Sequence, residues 1–376
     1  MGMKNPVYMD HNATTAVRPA VKDALIRALE LTGNPSSVHG AGRGVRKLVE
    51  DAREQVAALV GAMPAGVVFT SGGTEANNLA IPGAGTRRVL VSAVEHVSVL
   101  KSVAAPEIIA VDSNGLIDLG ALDAALEVNQ EAALVSVMLA NNETGVIQPV
   151  AEVSSLAKKH GALFHCDAVQ AAGKIVIDMK ALGIDMLTLS AHKIGGPQGI
   201  GALVLADDQT LSPIIRGGGQ ERSRRAGTEN LPGIVGFGVA AAEALKNLSG
   251  FADVRDWRDR IEAELSRHQG VCIFGASVSR LANTTCLTMP GVEAEHQLIA
   301  LDLAGIAVSA GSACSSGKVE PSHVLAAMGI EADEAATAIR VSLGWNTTEH
   351  DIERFLSAWA EVHARARASN KDRTAA

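Results

Sequence analysis

Lys193, Asp167, His96 and Cys314 are the side chains in this sequence placed where chemistry is possible. Lys193 closes Asp185-Met186-Leu187-Thr188-Leu189-Ser190-Ala191-His192-Lys193, an apolar run of strand character that breaks at Gly195-Gly196-Pro197. A lysine at the mouth of a buried strand loses hydration, which lowers its pKa. Such an amine attacks carbonyls and forms Schiff bases. Asp167 follows the apolar run Ala162-Leu163-Phe164, and Gln170 comes three positions later. A carboxylate at a strand exit can pair with a protonated ring nitrogen. Ser71-Gly72-Gly73-Thr74-Glu75 follows Val67-Val68-Phe69 and opens a helical stretch. Glycines there let backbone N–H groups close on a phosphate at a helix N-terminus. A carbonyl partner, a ring nitrogen and a phosphate together point to pyridoxal 5'-phosphate (PLP).

Each piece also has a plain structural reading. Asp167 can be a helix N-cap, and the Ser71–Glu75 turn can be capping chemistry without a ligand. His96, after Glu95 and the strand-like Val89-Leu90-Val91, can stack on a flat ring and handle protons, or be a satisfied structural histidine. Asn141-Asn142-Glu143-Thr144-Gly145 reads alone as an Asn/Gly turn. A metal site from His160, His165, Cys166 and Asp167 is disfavoured, because successive strand residues face opposite ways. Cys314 lies in Ser309-Ala310-Gly311-Ser312-Ala313-Cys314-Ser315-Ser316-Gly317, small residues with little to pack. That is a flexible loop with an incidental thiol, or a nucleophile that a basic neighbour such as His96 or Lys318 activates.

The elements that must position these groups alternate between helix and strand periods. Val45, Leu48, Val49, Ala52, Val56 and Leu59 share one helical face, and short apolar runs at 67–69, 89–91, 108–111, 134–139, 162–164, 186–189 and 202–205 predict strands. Alternating strands and helices predict an α/β fold with a mainly parallel sheet covered on both faces. Ligands gather at the carboxyl ends of such strands. Every candidate group lies just past a predicted strand, and one βα crossover between Asp167 and Lys193 would bring both to the same sheet edge. A composition shift near Leu248-Ser249-Gly250 predicts a second unit, with a final helix over 349–367 and a frayed tail. The division expected is a large domain over 15–249 and a smaller α+β domain over 250–376, joined by the N-terminal segment 1–14 and carrying a mobile loop at about 309–318.

Composition excludes several classes. A 376-residue chain with 47% apolar residues supports more than one core. Aromatic residues make up only 3%, so aliphatic side chains must fill those cores. A formal charge of −8 argues against a broad grip on nucleic acid. No run of about 18 uncharged apolar residues suggests a membrane span. The start, Met1-Gly2-Met3-Lys4-Asn5-Pro6, lacks a signal-peptide apolar core, so a cytoplasmic protein is expected. Cys166, Cys272, Cys286 and Cys314 show no zinc spacing and read as thiols.

Taken together, the stretches 8–15, 33–37, 71–78, 95–96, 141–145, 167–170, 190–193, 222–230, 311–316 and 340–343 resemble a cysteine desulfurase of the NifS/IscS group, in the class V branch of fold-type-I PLP enzymes. The resemblance implies that Lys193 carries the cofactor, Asp167 pairs with its pyridine nitrogen, His96 stacks on the ring and moves protons, and Gln170 bonds its phenolic oxygen. It implies that Asn142 sits beside ring and substrate, and that Gly73, Thr74, Ser190 and His192 hold the phosphate. Thr228 would reach the phosphate from a second subunit, so a homodimer is expected. Arg340 would clamp the carboxylate of L-cysteine, and Cys314 would take its sulfur as a persulfide. The partner implied is an iron–sulfur scaffold or another sulfur acceptor, with which Cys314 could transiently share an iron–sulfur ligand role. The Cys314 loop resembles the long-loop subgroup, and the 33–39 and 316–323 runs lean to the nitrogen-fixation type; the tail shows no housekeeping-type docking end. A selenocysteine lyase, or another class V lyase or aminotransferase, shares the PLP core. The reading outside enzymes is a sulfur-relay scaffold that keeps the fold.

Overall fold

The computed structural model describes residues 6–86, 88–129, 131–206, 209–310 and 321–374. Cys314 lies outside them. In chain order the strands are β1 (Val7–Tyr8), β2 (Val67–Thr70), β3 (Arg88–Ser92), β4 (Glu107–Ile109), β5 (Ala133–Ser136), β6 (Leu163–Asp167), β7 (Met186–Ser190), β8 (Gly201–Leu205), β9 (Thr284–Thr288), β10 (Ile306–Ala307), β11 (Ser309–Ala310) and β12 (Ala338–Ser342). A seven-stranded sheet has the order β2-β8-β7-β6-β5-β3-β4. Its β4-β3-β5-β6-β7 run is parallel, and β8 lies antiparallel between β7 and β2. The reversal follows from chain length: the short connection 191–200 can join antiparallel neighbours but is too short for a parallel crossover. The 168–185 crossover between β6 and β7 is a series of turns with no helix. Its β-branched Ile175-Val176-Ile177 stretch after Gly173 disfavours helix.

Helices cover both faces, as near-continuous apolar strands require. Among them are α1 (Pro19–Leu29), α2 (Gly40–Leu59), α3 (Gly73–Gly83) and α4 (Val97–Leu100). Along β2, Val67 and Phe69 enter one core while Val68 enters the other, the period-two alternation of a strand. Burying a side chain such as Phe164 or Phe237 contributes roughly 1.5–3 kcal/mol.

A separate core forms around the antiparallel sheet β11-β12-β9 and the parallel pair β1-β10. Ile339, Val341, Ile352, Phe355 and Trp359 pack there with Val7 and Met9 from the start of the chain. The final helix runs Glu349–Thr374, past the expected end at 367. Residues 364–373 hold Ala, Arg and Lys with no Gly or Pro, so nothing stops it earlier. No helix among the described residues is long and apolar enough to cross a membrane.

Candidate active site

Strands β3, β5, β6 and β7 run in one direction, so their carboxyl ends share one sheet edge. Those ends lead to His96, Asn142, Asp167 and the Ser190–Lys193 turn. β2 opposes β8 as β7 does, so it ends at the same edge and leads to Gly73 and Thr74. A side chain at Gly201, which opens β8, would put its Cβ 2.6 Å from the Gly72 carbonyl carbon, so glycine there lets the Gly72–Gly73 turn close in. The cavity at this edge measures about 350 Å³ and is lined by Gly73, Thr74, His96, Asn142, Asp167, Gln170, Ser190, His192, Lys193 and Arg340, among others. A few hundred Å³ is the range of small-molecule sites. The structure thus brings ten of the expected site residues to one space.

Asp167 ends β6, and its carboxylate is held at both oxygens. Oδ1 accepts the Val169 N–H at 2.9 Å and Oδ2 accepts from Asn77 Nδ2 at 2.8 Å. The second Asn77 N–H bond reaches Ser98 Oγ at 2.9 Å, and Ser98 Oγ lies 2.7 Å from His96 Nδ1. His96 caps α4, accepting the Ser98 backbone N–H at Nδ1. An Nδ1 that accepts leaves the ring proton on Nε2 in the neutral form. Burial pushes His96 below the ordinary histidine range; Asp167 opposes the shift, while Lys193 and His323 add to it. Neither Asn77 nor Ser98 carries a motif signal beyond its place in 71–78 or next to His96, so sequence reasoning passed over both.

Lys193 lies in a single turn after β7, with Nζ donating to the main-chain oxygens of Asn12 and of Ala13, the latter at 2.8 Å. Gln170 Nε2 donates to the same Asn12 oxygen at 2.9 Å. Arg340, on β12, is buried; its Nη2 meets Asp10 Oδ1 at 2.7 Å and its Nη1 donates to Asn142 O at 3.1 Å. Its Nε is buried with no partner among the described residues. The N-terminal 10–13 segment is therefore part of the site, although its residues are distant in sequence from every other lining residue.

Thr228 does not reach this space. It lines a different cavity with Ser71, Arg225 and Glu229. The loop before it is clamped from beneath: Glu221 takes Arg53 at 2.8 and 3.0 Å and the Phe69 N–H at 3.0 Å. Glu221, Arg222 and Ser223 hold φ of 45, 58 and 64°, a left-handed run that side chains seldom adopt unless neighbours enforce it.

The three described cysteines are poor nucleophiles. Cys166 and Cys286 are buried and Cys272 partly so, and burial raises each thiol pKa. Raised values keep them as thiols, and the thiolate is the reactive form. The described ends flanking 311–320 both touch the site's surroundings. Ser309 pairs with Arg340 across β11 and β12, Ser322 Oγ bonds Glu143 Oε2 at 2.6 Å, and His323 Nε2 lies 2.9 Å from Glu95 O.

Known proteins share this architecture. The profile of class-V aminotransferases matches residues 7–355. The chain belongs to the class-V aminotransferase family. A cysteine desulfurase of Nostoc sp. is 45% identical, covering 96% of this chain and 94% of that protein. The X-ray structure of a NifS-like protein from Rickettsia africae ESF-5 superposes with a TM-score of 0.89 at 39% identity, over 96% of this chain and 100% of that one. A structure described as SspA in complex with cysteine matches with a TM-score of 0.77 at 31% identity, over 89% of this chain and 98% of that one.

The donor set of this class-V aminotransferase suits PLP, the cofactor of that family. α3 begins at Gly73 after Gly72, which supplies no side-chain cap, so its first-turn N–H groups face the cavity end uncapped by a side chain. An added Cβ at Gly73 would stand 3.0 Å from Val169 Cγ2, so a larger residue would crowd that end. An anchored carboxylate, an amine and an uncapped helix start at one edge match a ring nitrogen, a carbonyl and a phosphate.

Proposed function

We propose that the chain is a PLP-dependent cysteine desulfurase. It converts L-cysteine to L-alanine and passes the sulfur, carried as a persulfide on Cys314, to an acceptor protein in iron–sulfur cluster assembly. The observation that carries this reading is Lys193 facing one cavity with Asp167 and the Gly73 turn, in a chain whose 45%-identical Nostoc relative is a cysteine desulfurase.

Bound PLP supplies an electron sink for the substrate Cα. The chain's own groups do the rest. Asp167, anchored by Asn77 and Val169, holds the proton on the pyridine nitrogen. Gly73 and Thr74 with Ser190 and His192 hold the phosphate, and Thr228 of a second copy completes that end. Gln170 and Asn142 orient the ring, and His96 stacks on it with its Nε2 proton available. Arg340 binds the substrate carboxylate, giving its unpartnered Nε a charge-assisted bond. Lys193 holds the cofactor and then takes and returns the Cα proton.

Sulfur leaves in one balanced exchange. The Cys314 thiolate attacks the substrate sulfur, an S–S bond forms and the Cβ–S bond breaks. The electron pair stays with Cβ, which a proton then converts to the methyl of alanine. The exclusion of Cys166, Cys272 and Cys286 as thiolates supports Cys314 in this part. The large unit over 15–249, the small unit over 250–376 with 1–14, a homodimer and a cytoplasmic location belong to the same proposal. Two separate apolar clusters support the division.

Mass spectrometry after addition of cysteine tests it. A persulfide should form at Cys314, and Cys314→Ala should keep bound PLP while losing sulfur release. Unimpaired release from that variant would sink the reading. Adding an iron–sulfur scaffold, a tRNA-thiolation protein and a molybdenum-cofactor protein in turn identifies the acceptor as the one that discharges the persulfide.

A further inference from the structure

Lys174 is a cationic side chain beside the site that the reaction above does not use. Its Nζ lies 3.1 Å from Gln170 Oε1 and 3.2 Å from Asn12 Oδ1. An ammonium offers donors only, so both carboxamides must turn their oxygens towards it. For Gln170 that choice sets the other end of the amide, whereas Asn12 Oδ1 also accepts from Asn283 Nδ2 at 3.1 Å. Gln170 directs Nε2 to the Asn12 main-chain oxygen at 2.9 Å, leaving its second N–H bond for the cavity it lines. Asn12 directs Nδ2 to Asn142 O at 3.1 Å and to Thr284 Oγ1 at 2.9 Å. Asn142 O in turn accepts from Arg340 Nη1. Lys193 Nζ also donates to Asn12 O, so the amine and the Gln170 amide share one acceptor.

Lys174 lines a narrow recess behind the main cavity with His11, Arg18 and Lys193. It therefore stands behind residues that face the ligand space.

We propose that Lys174 is a positioning residue: its ammonium orients the Gln170 carboxamide so that an N–H bond, not an oxygen, meets the phenolic oxygen of PLP. The inference rests on the reading of Gln170 as a ring contact. A carboxamide has nearly the same shape either way round, so only its hydrogen-bond partners decide which end faces the ligand. With the oxygen turned inwards, two acceptors would oppose one another. Burial and the charges of Lys193 and Arg340 bring Lys174 to a pKa of about 7, and the ring of His11 also faces it. The neutral amine can accept as well as donate, so the orienting effect weakens as pH rises through that value.

The test compares wild type, Lys174→Met and Lys174→Arg, loaded with PLP. The readouts are the PLP dissociation constant and the pH midpoint of the cofactor's visible absorbance. Lys174→Met should weaken PLP binding about tenfold, the worth of one charge-assisted hydrogen bond, and shift the midpoint. Lys174→Arg, which also offers donors only, should restore both. In a Gln170→Ala background, Lys174→Met should change binding less than about twofold, because the group it orients is gone. A Lys174→Met protein that matches wild type in both readouts overturns the inference, as does an equal loss in the Gln170→Ala background. If Lys174→Met does not fold, Lys174→Gln takes its place, with the same outcomes. A wild-type protein that takes up no PLP would instead overturn the functional reading, which keeps the two failures apart.

Discussion

At the scale of single residues, the site separates groups kept charged from groups kept neutral. Glu95 is fully buried, with Oε1 on the Met138 N–H at 2.6 Å and Oε2 without a partner among the described residues. Burial raises its pKa well above the ordinary range, with Asp167 adding to the shift. A raised folded-state pKa means stability present below the unfolded value of 4.5 and lost as pH rises. Glu95→Gln removes that loss while keeping the Met138 bond. It should therefore melt above wild type near pH 8 and converge with it below about pH 4.5. A variant that melts lower at both values would contradict this. Buried histidines act with the opposite sign. Burial brings His11 and His165 to about 4, and His165 is satisfied while neutral by Ser136 and Thr188. A lowered folded-state pKa means stability present above 6.5 and lost as pH falls towards 4. Urea midpoints should fall across that window, and less so in His165→Gln. An equal fall in the variant would remove His165 from the account. At Arg340, replacement by Lys keeps charge but loses the planar fork, so KM for cysteine should rise about tenfold or more with little change in PLP binding.

At the scale of elements, the loop over 217–230 depends on an ion pair between its own Glu221 and a residue far from it in sequence. Arg53 on α2 and Glu221 are both almost wholly buried, 5% and 4% exposed at the side chain. Two such charges gain little over an apolar pair, but one left alone is costly. Arg53→Met should lower stability by about 3–5 kcal/mol, and Arg53→Met with Glu221→Met should recover only part of it, because the Phe69 N–H and Val67 O lose their partners. Chemical denaturation of both variants checks this, and a single variant within about 1 kcal/mol of wild type would refute it. Most elements were legible from periodicity. The strands at 67–70 and 186–190 carry the apolar runs that predict them, and the helix Gly40–Leu59 buries Val45, Val49, Ala52, Val56 and Leu59 of its expected face. The direction of β8 was not legible, because an apolar run looks the same in parallel and antiparallel strands. Loop length decided it.

At the scale of the whole molecule, Thr228 stands apart from the Lys193 cavity within one chain. If it serves a second copy, Thr228→Ala should weaken PLP retention several-fold, and sedimentation should find a dimer whose dilution also releases the cofactor. Retention unaffected by both changes would make the site self-sufficient. Sequence alone determined the chemical types and their place at strand exits: Lys193, Asp167, His96 and the Gly73 turn each follow an apolar run that must be buried. It could do so because burial and backbone geometry at a strand end are local properties. Asn12, Asn77, Ser98 and Lys174 became visible only in three dimensions. Asn12 and Asn77 act through hydrogen bonds to residues brought near by folding, from Asn77 to Asp167 and from Lys193 to Asn12, and Lys174 through one four positions away whose geometry spacing does not give. A hydrogen bond is decided within a few tenths of an ångström, and spacing along a chain carries no such information.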